Sequence, residues 1–196
     1  MYASIVPRAG EVEVNDGVAL IVRGDALMSL WNAPARVHRS KWVYDAADDL
    51  AARSPNGMGA LMILLPTADP PDGPARNENA VRMRELKASL RRLVTVVLGD
   101  DLRQTIVRSV LRIMALPLGP GRLGVSSTVE NGIEQLLRAA SPATPSFAEL
   151  AEDIHSLFKA LGVAPPRGLP RRGHEPDSGG RWSTEAAARQ NVGRRS

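Results

Sequence analysis

The stretch Gly59-Ala-Leu-Met-Ile-Leu-Leu-Pro66 decides how the rest of the chain is read. It is an apolar run of strand length with a breaker at each end. Such a run suits a strand covered on both faces, as in a mainly parallel sheet. Thr67-Ala-Asp-Pro-Pro-Asp-Gly73 follows, rich in the residues that hand a strand over to a helix. In open α/β sheets, ligands and partners gather at that junction, past the carboxyl end of a central strand. The turn is therefore the first place to look for function.

Upstream, Val12 and Val14 alternate with Glu11 and Glu13, the pattern of a half-buried strand. Asn15-Asp-Gly17 is a tight-turn signal, because these residues tolerate positive φ. Val18–Val22 then returns as a more buried strand, which predicts a β-hairpin closing at Arg23-Gly24. Residues 1–10 read as a flexible lead-in. Between Asp25 and Arg36 the apolar Leu27, Met28, Leu30 and Trp31 run up to Pro34, and the expectation is a short turn or helix start. From His38 to Arg53, Val43, Ala46, Ala47 and Leu50 mark one face of a helix and Asp45, Asp48 and Asp49 the other. Ser54-Pro-Asn-Gly57 ends it.

Downstream, Met83, Leu86, Leu90 and Leu93 fall at helical spacing, and Pro74 suits a first helical turn, so a helix is expected from about Pro74 to Arg92. Leu93–Leu98 is a β-branched strand that stops at Gly99-Asp-Asp101. A helix is expected over Asp101–Leu116, ended by Pro117 and Gly119. Arg122–Ser126 is a short strand. Ser127 with Glu130, and Ser146 with Glu149, have capping-box spacing at the starts of two amphipathic helices. The second carries Phe147, Leu150, Ile154, Leu157, Phe158 and Leu161, and its stripe is expected to pack on the sheet or to meet a partner. The fold class is α/β: a mixed sheet of about five strands with helices packed on it, an extra helix over 141–163, and a disordered Arg/Pro/Gly-rich tail over 164–196.

Composition narrows the functional classes. The 196 residues are 43% hydrophobic with 4% aromatics, so the core is aliphatic. Without cysteine there is no disulfide framework and no thiolate ligand or nucleophile. No apolar run approaches the ~20 residues that span a bilayer, and the N-terminus lacks a secretory pattern. The expectation is a cytoplasmic protein. Lys41, Lys87 and Lys159 are the only lysines among 25 basic residues, a bias that fits a GC-rich bacterial genome. The net charge of +4 lies entirely in residues 164–196, where seven arginines face three carboxylates. Charge gives the folded part no argument for nucleic acid; the tail alone offers a weak one.

The order of a β-hairpin leading into alternating helices and strands resembles the STAS fold of bacterial anti-sigma factor antagonists, the SpoIIAA-like proteins. The resemblance covers residues 11–140. It rests on Gly59–Pro66 with its turn, on Leu93–Leu98 with Gly99, and on Gly124-Val-Ser-Ser-Thr-Val-Glu130. It implies a non-enzymatic signalling module that works by protein–protein interaction, with a Ser or Thr phosphorylated just after the central strand. Here that turn departs from the family's Asp-Ser or Asp-Thr pattern. Thr67 is its one hydroxyl, and Asp69 and Asp72 would repel a phosphate. Thr67 is thus a possible phosphoacceptor read first as a turn residue. Thr67, Asp69, Asp72, Arg76 and Glu78 form the expected partner-binding surface.

Asp69, Asp72, Asp100 and Asp101 all follow strand ends and, if they converge, supply an alternative: a metal-binding or acid–base site. Carboxylates in such turns more commonly cap helices. No cofactor and no metal is expected. Gly119-Pro-Gly-Arg-Leu-Gly124 has the spelling of a dinucleotide loop but follows a helix and enters a strand, with Pro120 removing an amide, so it reads as a helix stop. His38, His155 and His174 do not group into a triad or metal site. Ser126 and Ser127 read as caps, and Arg103, Arg108 and Arg112 as a solvated helix face.

Overall fold

The computed structural model of the chain describes residues 8–99, 118–119 and 121–170. Most of the expected lead-in, the helix expected over 101–116 with its arginines, Asp100, and the tail from residue 171 with His174 lie outside the described residues.

Hydrogen-bonded neighbours in the sheet are also neighbours in sequence. The strands are β1 (Val12–Asn15), β2 (Val18–Arg23), β3 (Ala26–Trp31), β4 (Met58–Leu64), β5 (Leu90–Val97) and β6 (Leu123–Ser126), side by side in that order. The first three are antiparallel and the last four, counting β3 twice, are parallel. The expected hairpin is present. Asp16 and Gly17 both take left-handed φ, 47° and 78°, as a two-residue turn matched to strand twist requires.

Two expectations change. Ala26–Trp31 is a strand, every residue of it buried, rather than a turn or helix start, so the sheet has six strands instead of about five. Its run of Ala-Leu-Met-Ser-Leu-Trp shows no alternation because both faces are covered, and Pro34 falls beyond its end. The helix after the central turn stops at Leu86 rather than running to Arg92, and β5 starts at Leu90. Arg91 mimics a helix-surface residue in the sequence, yet its guanidinium reaches inward across the sheet edge to Asp25 at 2.6 Å.

Four helices are described: α1 (Val37–Arg53), α2 (Gly73–Leu86), α3 (Val129–Leu137) and α4 (Phe147–Ala160). Right-handed crossovers between sequential parallel strands keep their helices on one side. Accordingly α1 and α2 share one face with Leu20, Val22, Leu27 and Leu93. The other face, with Ile21, Met28, Leu30, Leu61, Ile63, Val94 and Val96, is covered by α3 and α4. Gly132 lets α3 lie close, since a Cβ there would sit 2.4 Å from Val96 Cγ2.

The capping box of α4 forms as the spacing predicts, with Ser146 and Glu149 bonding each other's backbone N–H. At α3 the cap is one residue later than expected. Thr128 accepts from Asn131 N at 3.3 Å, which leaves Glu130 too near the cap to close a box. Of the two fates open to the α4 stripe, packing is the one realised: Leu150, Ile154, Leu157 and Phe158 are buried against β1–β3 and α3. Leu169, at the start of the stretch read as tail, is buried in the same cluster.

An ion pair fixes that helix. Arg23 on β2 donates twice to Asp153 on α4, both at 2.6 Å, and the Asp153 side chain is 2% exposed. Removing Arg23 strands a buried carboxylate. Arg23→Met should cost about 2–3 kcal/mol, less than for a fully buried pair because Arg23 is partly solvated. Arg23→Met with Asp153→Leu should recover most of it in urea denaturation. Phe158→Ala should cost about 3–5 kcal/mol by the same measurement. A loss under ~1 kcal/mol would mark α4 as a surface attachment.

Candidate functional site

The turn after β4 is anchored from below and exposed above. Leu65 N donates to Trp31 O at 3.0 Å and Leu98 N to Leu64 O at 3.0 Å, which extends the parallel ladder past the strand ends. Leu65 and Ala68 point inward, each 5% exposed, and Ala68 N closes the turn on Leu65 O at 2.9 Å. Pro66, Thr67, Asp69 and Pro70 are left exposed. Thr67 Oγ1 donates to Asn32 Oδ1 at 2.5 Å, tying the turn to the end of β3.

Asp72 ends the turn and begins α2. Its Oδ1 accepts from Ala75 N at 2.9 Å, and its Oδ2 accepts from Arg36 at 2.5 Å. Pro74 occupies the first turn, where a missing N–H costs nothing. The amide hydrogen bond, followed by the Arg36 contact, holds the Asp72 carboxyl below the ordinary aspartate value. Both oxygens are engaged, so this carboxylate does not offer itself to a metal. Among the described residues no three His, Asp or Glu side chains group as metal ligands.

The five expected site residues therefore divide. Thr67, Asp69, Asp72 and Arg76 lie along the turn and the exposed start of α2. Glu78 accepts instead from Arg82 at 3.2 Å, inside a cluster where Arg82 also meets Asp45, Asp48 and Glu85 and clasps α2 to α1. Asp100 and Asp101, the other half of the proposed carboxylate site, lie outside the described residues. The two described histidines have separate partners: His38 Nε2 is 2.9 Å from Asp16 Oδ2, and His155 Nε2 is 3.0 Å from the Pro170 carbonyl. Ser126 is satisfied locally, donating to Thr128 O at 2.8 Å.

Asn32 and Arg36 hold the turn from the β3–α1 connection, and sequence reading gave neither a role, because a strand had to be recognised before its end could be placed. The opposite edge of the sheet holds a second polar cluster. Asp25, nearly buried, accepts from Arg91 at 2.6 Å, Thr144 at 2.8 Å and the Ser141 hydroxyl. Arg91 also donates to Ala139 O at 2.6 Å. This cluster joins the β2–β3 turn, β5 and the α3–α4 loop. Both Asp25 oxygens and both terminal nitrogens of Arg91 are engaged within it, which makes it a latch.

The central strand is covered unequally. Leu61 and Ile63 are sealed under α3 and α4, whereas Ala60, Met62 and Leu64 on the α1–α2 side are only partly buried. They floor a cavity of about 120 Å³ walled by Trp31, Tyr44 and Met83, with Ala68, Pro70 and Pro71 of the turn at its border. The turn is thus both an outer surface and an inner wall.

Comparison of the chain with protein-family models, curated proteins and solved structures finds no match.

Asp72→Ala removes a cap and an ion pair together, and should lower Tm by about 2–4 °C. Since the Asp72 pKa is lowered on folding, its contribution is complete above the ordinary value of 3.8 and is lost as pH falls through the lower folded value. The Tm difference between wild type and variant should accordingly be constant near neutrality and vanish in acid. A difference that persists at low pH would assign it to something other than the carboxylate.

Proposed function

We propose that this chain is a non-enzymatic regulatory or scaffold module of the cytoplasm, built on the plan of the anti-sigma factor antagonists, that binds another protein. The binding surface is the turn Thr67–Asp72 with the start of α2 at Arg76. One observation carries this reading: the turn is exposed yet tied at both ends, by Thr67 to Asn32 and by Asp72 to Arg36 and the α2 backbone. A surface already held in one conformation loses little entropy when a partner docks, which favours affinity. Alternating charge along it, Asp69 and Asp72 against Arg36 and Arg76, supplies a pattern by which a partner is selected. The β-hairpin and the later helix–strand units support the family plan, while β3 adds a strand before the first helix. The hydroxyl of Thr67 acts here as a brace, and recognition takes precedence over reaction at this turn.

Asp69→Arg combined with Arg76→Glu reverses two exposed charges without touching the Asp72 cap. In quantitative pull-downs from the native host, with wild type as reference, the double variant should retain its fold and lose its specific partner by roughly tenfold or more, the scale of misplaced interface charge. Capture of the same partner at the same yield would move the binding surface elsewhere.

A further inference from the structure

The cavity beside β4 carries three side-chain oxygens that nothing satisfies. Ser40 Oγ on α1, Asn79 Oδ1 on α2 and Thr95 Oγ1 on β5 are buried and have no hydrogen-bond partner, and all three residues line the same space. Ser40 is 2% exposed and Thr95 1%. A buried polar group without a partner costs about 1–3 kcal/mol, so native proteins rarely keep one. Three from three different elements, facing one cavity, are not explained by packing.

The remaining lining defines what they await. Among the described residues, Asp69 is the only charged one in contact with the cavity, and no Lys or Arg reaches it. A carboxylate or phosphate placed there would be desolvated with no counter-charge from the described lining, and would meet Asp69 instead. Burial pushes the Tyr44 phenol up from its ordinary value, so that wall stays neutral as well. Trp31, Tyr44, Met62 and Met83 all line the space, and thioethers and aromatic rings together favour an aromatic ligand. The volume of about 120 Å³ is near the roughly 150 Å³ at which an apolar cavity takes up a benzene-sized molecule.

We infer that this cavity is a binding site for a small, neutral, single-ring aromatic molecule bearing a hydroxyl or amide group. The ring lies against Met62, Met83 and Trp31, and its polar group bonds within the set Ser40, Asn79 and Thr95. The inference is independent of the protein-binding surface above, because it needs no partner.

Titration calorimetry of the full chain with 4-methylphenol, toluene and benzoate tests it. The expected result is one saturable site for 4-methylphenol, toluene weaker by roughly tenfold for the lost hydrogen bond, and no uptake of benzoate. Thr95→Val keeps the shape and removes an orphaned hydroxyl. It should leave the free protein as stable or more so, while weakening 4-methylphenol by several-fold to tenfold. Ala60→Phe should fill the floor and abolish binding; if that variant does not fold, Thr95→Val decides alone. No saturable binding, equal affinity for toluene and 4-methylphenol, or unchanged affinity in a folded variant would overturn the assignment.

Discussion

Parallel pairing of Ala26–Trp31 with Met58–Leu64 is the constraint on which the rest of this molecule depends. It joins an antiparallel meander to a parallel sheet, and so forces the chain between them to cross over as α1. From there each following strand adds on the same side, and right-handed crossovers place α1 and α2 together on one face. The pairing also sets two carboxyl ends side by side, so that Asn32 can brace Thr67. Without β3 in that place the central turn would have no neighbour to hold it.

The two faces of the sheet have been closed in different ways. On one, α3 approaches to the limit that Gly132 allows, and α4 lays two turns of apolar side chains over β1–β3. Dense packing there leaves little room for change. On the other, α1 and α2 are clasped to each other through Arg82 and its carboxylates, and the layer stands off far enough to leave a cavity. Buried polar atoms without a partner gather around that gap, at Ser40, Asn79 and Thr95, whereas the buried Asp153 on the sealed side is paired with Arg23. The asymmetry gives one half of the core a structural task and leaves the other half available for a ligand.

Charged side chains do their structural work at the margins of the sheet. Arg23 with Asp153 and Arg91 with Asp25 each bridge elements more than sixty residues apart, and each sits where a strand ends. At the opposite, carboxyl edge, Arg36 and Asp72 do the same for the turn. Periodicity cannot announce such pairs. Arg91 and Arg92 look like the polar face of a helix, and only the ladder between β4 and β5 assigns them to a strand.

The sequence by itself determined the elements whose signal is local. Asn15-Asp-Gly17 specified its hairpin through backbone φ, the Ser146–Glu149 pair specified the start of α4, Asp72 its cap, and Gly59–Pro66 a buried strand, because each depends on residues within a few positions of one another. Thr67, Asp69, Asp72 and Arg76 lie along one turn and the start of α2 because they are close in sequence. Only the tertiary structure decided that Ala26–Trp31 is a strand, that Glu78 faces Arg82, that Asp25 holds a latch, and that Ser40, Asn79 and Thr95 meet around one cavity. Ser40 on the apolar face of α1 and Thr95 within Val94-Thr-Val96 are visible in the sequence as polar residues at buried positions. What they are for depends on elements brought together from distant parts of the chain, and distance in sequence carries no signal of that meeting.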